Sequence, residues 1–268
     1  MELVVKGANT LYSGCMKDYT IDLHATLFCG QCFGWKEEGG LFQSVVHGSH
    51  VQFTEATFLS AITANSSLAH YFDMDGRYDK ANEHLSALDP KLGAAVGMFG
   101  GIRILNQDPW EVLVSFILSQ NNNIARIRKM YATLAETYGT SLADSWYTFP
   151  TARQMSGATE EELRTLGMGF RAPYLLDAIS KHTLLERVPS LDFAEALKLL
   201  MTIKGVGPKV GHCILLYGFH RMEAFPMDIW MQRVMLNWFP GKDPTYFAPY
   251  AGIAQQYLFH YARTEGLQ

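Results

Sequence analysis

The sequence predicts an α+β protein, with an antiparallel β-sheet in the first hundred residues and a mostly α-helical region after it. Three observations point there. Leu41 to His47 and Val51 to Thr54 are rich in β-branched and aromatic residues and are separated by Gly48-Ser49, which reads as a hairpin turn. Beyond about Met98 the apolar residues recur with the 3.6-residue period of a helix. Helix-start signals accompany that change at Asp108 and again at Thr159. The first hundred residues thus read mainly as strands, and the expected division is a sheet-bearing domain over 1–98 and a helical region over 99–268. The latter is subdivided into 99–186 and 187–268.

Asp108, Pro109 and Glu111 fit a helix start with Asp at the N-cap, Pro at the first helical position and Glu at the third, as in a capping box. Trp110, Leu113, Val114, Ile117 and Leu118 then form one apolar face. A second start pairs Thr159 with Glu162 ahead of Leu163 and Leu166. Glu160, Glu161 and Glu162 therefore read as first-turn residues favoured by the helix dipole, not as a metal site.

With 268 residues and 48% apolar content, the chain can bury a substantial core in one large domain or two to three modest ones. No apolar run approaches the roughly 20 residues needed to span a bilayer, and MELVVKGANTLYSG has no long apolar segment of the signal-peptide kind. A soluble, intracellular, monomeric protein with no membrane partner is the expectation. Cys15, Cys29, Cys32 and Cys213 are too few and too scattered for a disulfide framework, so reduced thiols are expected. The CxxC spacing of Cys29 and Cys32 suits a redox pair or half a zinc site, but there is no second CxxC and no four-cysteine cluster near the end of the chain.

The formal net charge of −4 argues against a nucleic-acid binder. Its distribution argues the other way, because Asn121 to Ala135 carries Arg126, Arg128 and Lys129 with no acid. Residues 193 to 217 carry the most information. Phe193, Ala196, Leu197 and Leu200 share one helical face, and Val210, Cys213, Ile214 and Tyr217 another, on either side of Ile203-Lys204-Gly205-Val206-Gly207. This is a helix-hairpin-helix pattern. Gly205 and Gly207 permit backbone conformations that turn successive N–H groups outward, and Pro208 starts the next helix without leaving a donor unpaired. Such a nest at a helix N-terminus binds phosphate without reading sequence.

Lys209 lies one residue into the second helix, and Cys213, four further on, shares its face. Asp228 follows in the phrase AFPMDIW. Alone, the lysine reads as a surface charge and the aspartate as a helix cap. Beside the hairpin they suggest more: an amine can attack a sugar C1′ and form a Schiff base once burial or a neighbouring cation has freed it from its usual protonation. A nearby carboxylate can stabilise the positive charge that grows as the base departs.

VGPKV followed by PMD resembles the helix-hairpin-helix glycosylase superfamily, and is most similar to eukaryotic-type 8-oxoguanine DNA glycosylases. FCGQCFGW (28–35), NQDPWEVLVSFILSQNNNIARI (106–127), LGMGFRAPY (166–174) and AGIAQQYLF (251–259) resemble stretches of the same family in the same order, so the similarity covers most of the chain. It implies a bifunctional glycosylase and lyase acting on double-stranded DNA that contains 8-oxoguanine, with no required cofactor, and the chain's end soon after Phe259 suggests a compact bacterial-type member. By resemblance Lys209 is the nucleophile and Asp228 its partner. Gly30 offers a carbonyl to the N7 hydrogen that 8-oxoguanine has and guanine lacks, Cys213 and Phe259 sandwich the flipped base, and Gln255 bonds its Watson–Crick edge. Asn121, Arg126 and Arg171 hold the orphaned cytosine, and Phe170 is the aromatic wedge. Carbonyls of Met201, Ile203 and Val206 would hold a structural cation.

Two departures stand out. Gly211-His212 replaces the family's usual Ala-Asp, and Trp230 sits where animal members have a His near the flipped nucleotide's phosphate. Three rivals remain: a glycosylase of this fold for another base, a helix-hairpin-helix module without chemistry, and a lysine Schiff-base enzyme acting on metabolites. The last would call for a (β/α) barrel, and the chain has no βα alternation.

Overall fold

The computed structural model describes residues 3–6, 9–12, 19–142 and 145–266; Cys15 lies outside them. Two antiparallel three-stranded sheets occupy the N-terminal part. The first pairs β1 (Leu3–Lys6), β2 (Asn9–Tyr12) and β3 (Tyr19–Ile21) in that order, and a short helix α1 (Leu23–Phe28) follows. The second pairs β4 (Lys36–Glu38), β5 (Leu41–Val46) and β6 (Ser49–Phe53). Along β5 the residues Phe42, Ser44 and Val46 are buried and their neighbours less so, the period-2 alternation expected of a sheet with one covered face. The hairpin turn is His47-Gly48, one residue earlier than the sequence suggests. Both residues have positive φ (47° and 78°) and Val46 pairs with Ser49, so a tight two-residue turn places Ser49 in the strand.

The expectation that strands dominate the first hundred residues fails between 55 and 99. That stretch forms α2 (Glu55–Ala64), α3 (Ser66–Tyr71), α4 (Tyr78–Leu88) and α5 (Pro90–Phe99). Local chemistry explains it: Thr54 and Thr57 cap each other, Asn65 accepts from the Leu68 N–H, and Asp89 caps a helix whose first residue is Pro90. Tyr78, Ala81 and Leu85 then bury one face of α4 in the helical core shared with the second half of the chain. A smaller cluster, built on Trp35, Phe53, Phe58 and Phe72, closes the sheet.

The remainder is helical: α6 (Pro109–Leu118), α7 (Ile124–Tyr138), α8 (Glu160–Thr165), α9 (Ala172–Ser180), α10 (Phe193–Leu200), α11 (Pro208–Phe219), α12 (Ile229–Trp238) and α13 (Ala251–Glu265). Among the described residues no helix is long and apolar enough to cross a membrane. Asp108 caps α6 by accepting from the Trp110 and Glu111 N–H groups. Glu111 does not complete a capping box; its carboxylate accepts from the Tyr131 hydroxyl (2.8 Å), and burial pushes that carboxyl up to about 7. Nor is α6 one-faced, since every residue from Val112 to Leu118 is buried between α7, α9 and α11. At α8 the reciprocal box of Thr159 and Glu162 forms as expected.

Candidate active site

The helix-hairpin-helix is present as α10, a loop over 201–207, and α11. Its two glycines differ. Gly205 takes φ +84°, and a Cβ there would lie 2.4 Å from the Tyr174 ring, so both backbone and packing demand glycine. Gly207 is the extended N-cap of α11 (φ −95°), which any residue could adopt, and the space a Cβ would fill is open. The expectation that both glycines supply unusual backbone therefore holds for Gly205 alone. A clamp not visible in the sequence braces the loop from α9: Lys181 Nζ donates to the Thr202 carbonyl (2.7 Å) and to Asp177 (2.9 Å), whose carboxylate also accepts from the Lys204 N–H (2.6 Å).

Six of the predicted residues converge on one cavity of about 230 Å³: Gly30, Lys209, Cys213, Asp228, Gln255 and Phe259. Lys209 is the second residue of α11, and its Nζ lies 5.1 Å from the centroid of the Phe116 ring. One turn on, burial raises the Cys213 thiol; Lys209 opposes that rise and Asp228 adds to it. Asp228 has two positions in one: it lines the cavity, and its Oδ1 N-caps α12 by accepting from the Met231 N–H (2.8 Å). Gln255 and Phe259 stand one turn apart on α13, Gln255 buried rather than at the surface.

Gly30 follows α1 with φ +94°. The buried Gln31 holds this turn against the segment 103–107. Its amide donates to the Thr26 and Arg103 carbonyls (2.9 and 2.8 Å), its Oε1 accepts from the Leu105 N–H, and its own carbonyl accepts from Gln107. Cys29 and Cys32 are buried thiols donating to the Thr26 and Leu27 carbonyls. Burial pushes Cys29 up to about 11 and Cys32 well above the ordinary thiol value. Among the described residues no group of three or more His, Cys, Asp or Glu could hold a metal ion. Replacing Gly30 by Ala is expected to cost about 1–2 kcal/mol, because a left-handed backbone strains any side chain. No protein atom beyond its chain neighbours comes nearer than 3.7 Å to the added methyl, so the fold survives while the cavity wall gains bulk. Thermal unfolding measured beside single-turnover excision checks this: a modest drop in Tm with a larger drop in rate is the expected pair.

The second predicted group sits at the α6–α7 junction. Asn121 has left-handed backbone (φ 47°), Asn122 donates to the Leu118 carbonyl, and Asn123 caps α7 by accepting from the Arg126 N–H. The three asparagines thus serve three different ends. Arg126 is exposed. Arg171 is not: 1% accessible, it donates from Nη2 to the carbonyls of Gln120 and Asn121, and its guanidinium lies 4.3 Å from the Phe170 ring centroid. Burial, and after it the positive charge of Arg126, push that guanidinium's pKa down. Phe170 projects with 45% of its surface exposed.

The first of the two departures has a local reason, and nothing in the structure explains the second. A Cβ on Gly211 would meet Leu197 Cδ1 at 2.5 Å, and His212 Nδ1 accepts from the Phe225 N–H (3.0 Å) while its ring packs edge-on to Phe193. Trp230 lies exposed on α12. A larger cavity of about 760 Å³ opens between β5 and α6, and none of the predicted site residues lines it.

Residues 15–113 match the family model for the 8-oxoguanine DNA glycosylase N-terminal domain, and residues 114–247 match that of the HhH-GPD superfamily base excision DNA repair proteins. The chain belongs to the HhH-GPD superfamily, in its 8-oxoguanine glycosylase branch. Similar solved structures include Clostridium acetobutylicum 8-oxoguanine glycosylase/lyase in complex with double-stranded DNA containing cytosine opposite 8-oxoguanine, 30% identical, with a TM-score of 0.80 over 99% of this chain and 98% of that one. Among sequence relatives, a probable N-glycosylase/DNA lyase of Methanothermobacter thermautotrophicus is 29% identical over 76% of this chain and 77% of its own length. The N-glycosylase/DNA lyase OGG1 of Arabidopsis thaliana is 29% identical over 81% of this chain and 66% of its own. The 230 Å³ cavity is lined by Lys209 and Asp228, and the larger cavity by neither.

Proposed function

We propose that this glycosylase excises 8-oxoguanine from duplex DNA, preferably opposite cytosine, and then cleaves the strand. The observation that carries the reading is the convergence of Lys209 and Asp228 on one cavity with Gly30, Cys213, Gln255 and Phe259. The cavity can admit a flipped base between Cys213 and Phe259, with Gln255 at its Watson–Crick edge and the Gly30 carbonyl accepting the N7 hydrogen. The amine of Lys209, once it has given up its proton, attacks C1′ as the N9–C1′ bond breaks, and the base leaves with the bonding pair and takes up a proton. Asp228 stabilises the positive charge on the sugar during that step. Ring opening gives the imine; loss of a C2′ proton then expels the 3′ phosphate, and water releases the lysine.

Gly205, Gly207 and the N-terminus of α11 are suited to a backbone phosphate. A structural cation in the hairpin would rest on the carbonyls of Met201, Ile203 and Val206. The Ile203 oxygen already accepts from the Val206 N–H and keeps one lone pair for the ion. Incubation with a duplex carrying one 8-oxoguanine, with and without borohydride, tests the whole reading: a trapped adduct and a cut strand support it, and an intact duplex overturns it.

Cytosine preference rests on Asn121, Arg126 and Arg171. Arginine donors match O2 and N3 of an unpaired cytosine, whereas the N6 amine of adenine would face donor with donor. Each mismatched pair costs about 1–3 kcal/mol, or roughly tenfold to a hundredfold in single-turnover rate. Arg126→Ala removes an exposed side chain and should narrow the preference without loss of stability. Arg171→Ala also deprives the Gln120 and Asn121 carbonyls of their donor, so it should lower stability as well. Excision from the four duplexes with each opposite base decides: an even loss of binding for every partner would mark both arginines as phosphate contacts.

A further inference from the structure

Gln255 has a buried companion at the back of the cavity. Gln256, 4% exposed, lines the same cavity; its Nε2 donates to the Tyr217 hydroxyl and to Gln255 Oε1 (3.1 Å). Its own Oε1 is buried and has no hydrogen-bond partner. Tyr217 is in turn immobilised, buried and stacked on Phe116 with ring centroids 5.4 Å apart and an interplanar angle of 17°. A carbonyl left unpaired in the interior is costly, and such an atom beside a binding cavity is an acceptor awaiting a donor. The Gln255 oxygen already accepts from Gln256, which turns the Gln255 amide so that its Nε2 is the group with donors to spare.

We propose that Gln256, held by Tyr217, is a specificity-determining residue that joins Gln255 in reading the amide edge of an oxidised purine. The two side chains offer one donor and one acceptor side by side. That pair complements O6 and N1–H of a 6-oxopurine: Gln255 Nε2 donates to O6, and Gln256 Oε1 accepts from N1–H. A 6-aminopurine presents the opposite order, an amine at C6 and a bare acceptor at N1, so donor meets donor and acceptor meets acceptor. Sites built this way discriminate strongly, because the wrong ligand leaves buried polar groups unpaired. The inference rests on the proposed function, since it takes the occupant of the cavity to be a flipped oxidised purine.

The test uses three duplexes carrying 8-oxoguanine, 8-oxoinosine or 8-oxoadenine, each opposite cytosine, under single-turnover conditions. 8-Oxoinosine keeps O6 and N1–H but lacks the 2-amino group, and comparing ratios between parent and variant cancels the differing costs of extruding each base. The parent should favour both 6-oxopurines over 8-oxoadenine. Gln256→Leu should shrink that ratio by about tenfold or more, and Tyr217→Phe by less, since it removes only the anchor. Strand cleavage at a preformed abasic site, which has no base to read, should fall less than excision does. Gln256→Met, closer in length, serves if the leucine variant does not fold. An unchanged ratio, an equal slowing on all three bases and on the abasic site, or a preference turned towards 8-oxoadenine in the parent would overturn the inference while leaving the glycosylase reading intact. A parent that releases no 8-oxoguanine would instead overturn that reading, and this inference with it.

Discussion

Lys209→Gln should abolish the borohydride-trapped protein–DNA adduct and all strand cleavage, and should slow base release by roughly a thousandfold or more, the scale on which removal of a nucleophile acts. The loss belongs to the chemistry and not to the fold. Lys209 occupies the second position of α11, where a cation opposes the helix dipole, so removing it returns about 0.3–1 kcal/mol. Against that stands the ammonium's attraction to the Phe116 ring, about 0.5–2 kcal/mol. The two nearly cancel, and the Tm of the variant should lie within about 4 °C of the parent. Duplex affinity should be kept too, since the hairpin backbone is untouched. A Gln variant that still traps would move the nucleophile to another lysine, and one that melts far below the parent would make Lys209 a structural residue.

How much of this was legible in the sequence depended on the range of the interactions involved. The hairpin could be read because glycine, proline and helical periodicity act over a few residues; so could the caps at Asp108 and Thr159. The helices between 55 and 99 carried similar local signals, in Thr54, Asn65 and Asp89-Pro90, but the strand character of 41–54 overshadowed them. Residues that act across the fold left no local trace. Gln31 bonds to a carbonyl 72 positions away, Gln256 to a hydroxyl 39 away, and Lys181 to a carbonyl 21 away. Nothing in their neighbours' spacing distinguishes them from surface amides and amines.

The same distinction separates the site residues. Those on helices or next to a cap, Lys209, Cys213, Asp228, Gln255 and Phe259, fall together because helix periodicity sets their faces and packing does the rest. Arg171 behaves otherwise: its motif suggests a projecting base contact, yet the side chain folds back on the Gln120 and Asn121 carbonyls. An arginine can satisfy its donors on protein carbonyls until a better acceptor arrives, and sequence gives no means of telling which it has chosen.

Asp228→Asn should slow base release by about a hundredfold to a thousandfold, the usual effect of removing one preorganised electrostatic group from a developing charge. The substitution separates chemistry from structure, because Asp228 also caps α12 through the Met231 N–H (2.8 Å). Asparagine caps about as well as aspartate, so Asn keeps the helix start and loses only the negative charge, whereas Ala loses both and should cost a further 0.5–2 kcal/mol or about that. The parent, Asn and Ala forms should therefore rank differently in two measurements. In thermal unfolding Asn should lie near the parent with Ala below both. In single-turnover excision Asn and Ala should both lie far below the parent, with duplex affinity nearly unchanged for Asn. Cleavage at a preformed abasic site gives a third reading: no glycosidic bond breaks there, so the Asn variant should retain more of that activity than of base release. If excision instead tracks stability, with Asn close to the parent in both, then Asp228 is a helix cap that happens to line the cavity, and the negative charge that steadies the sugar must come from elsewhere.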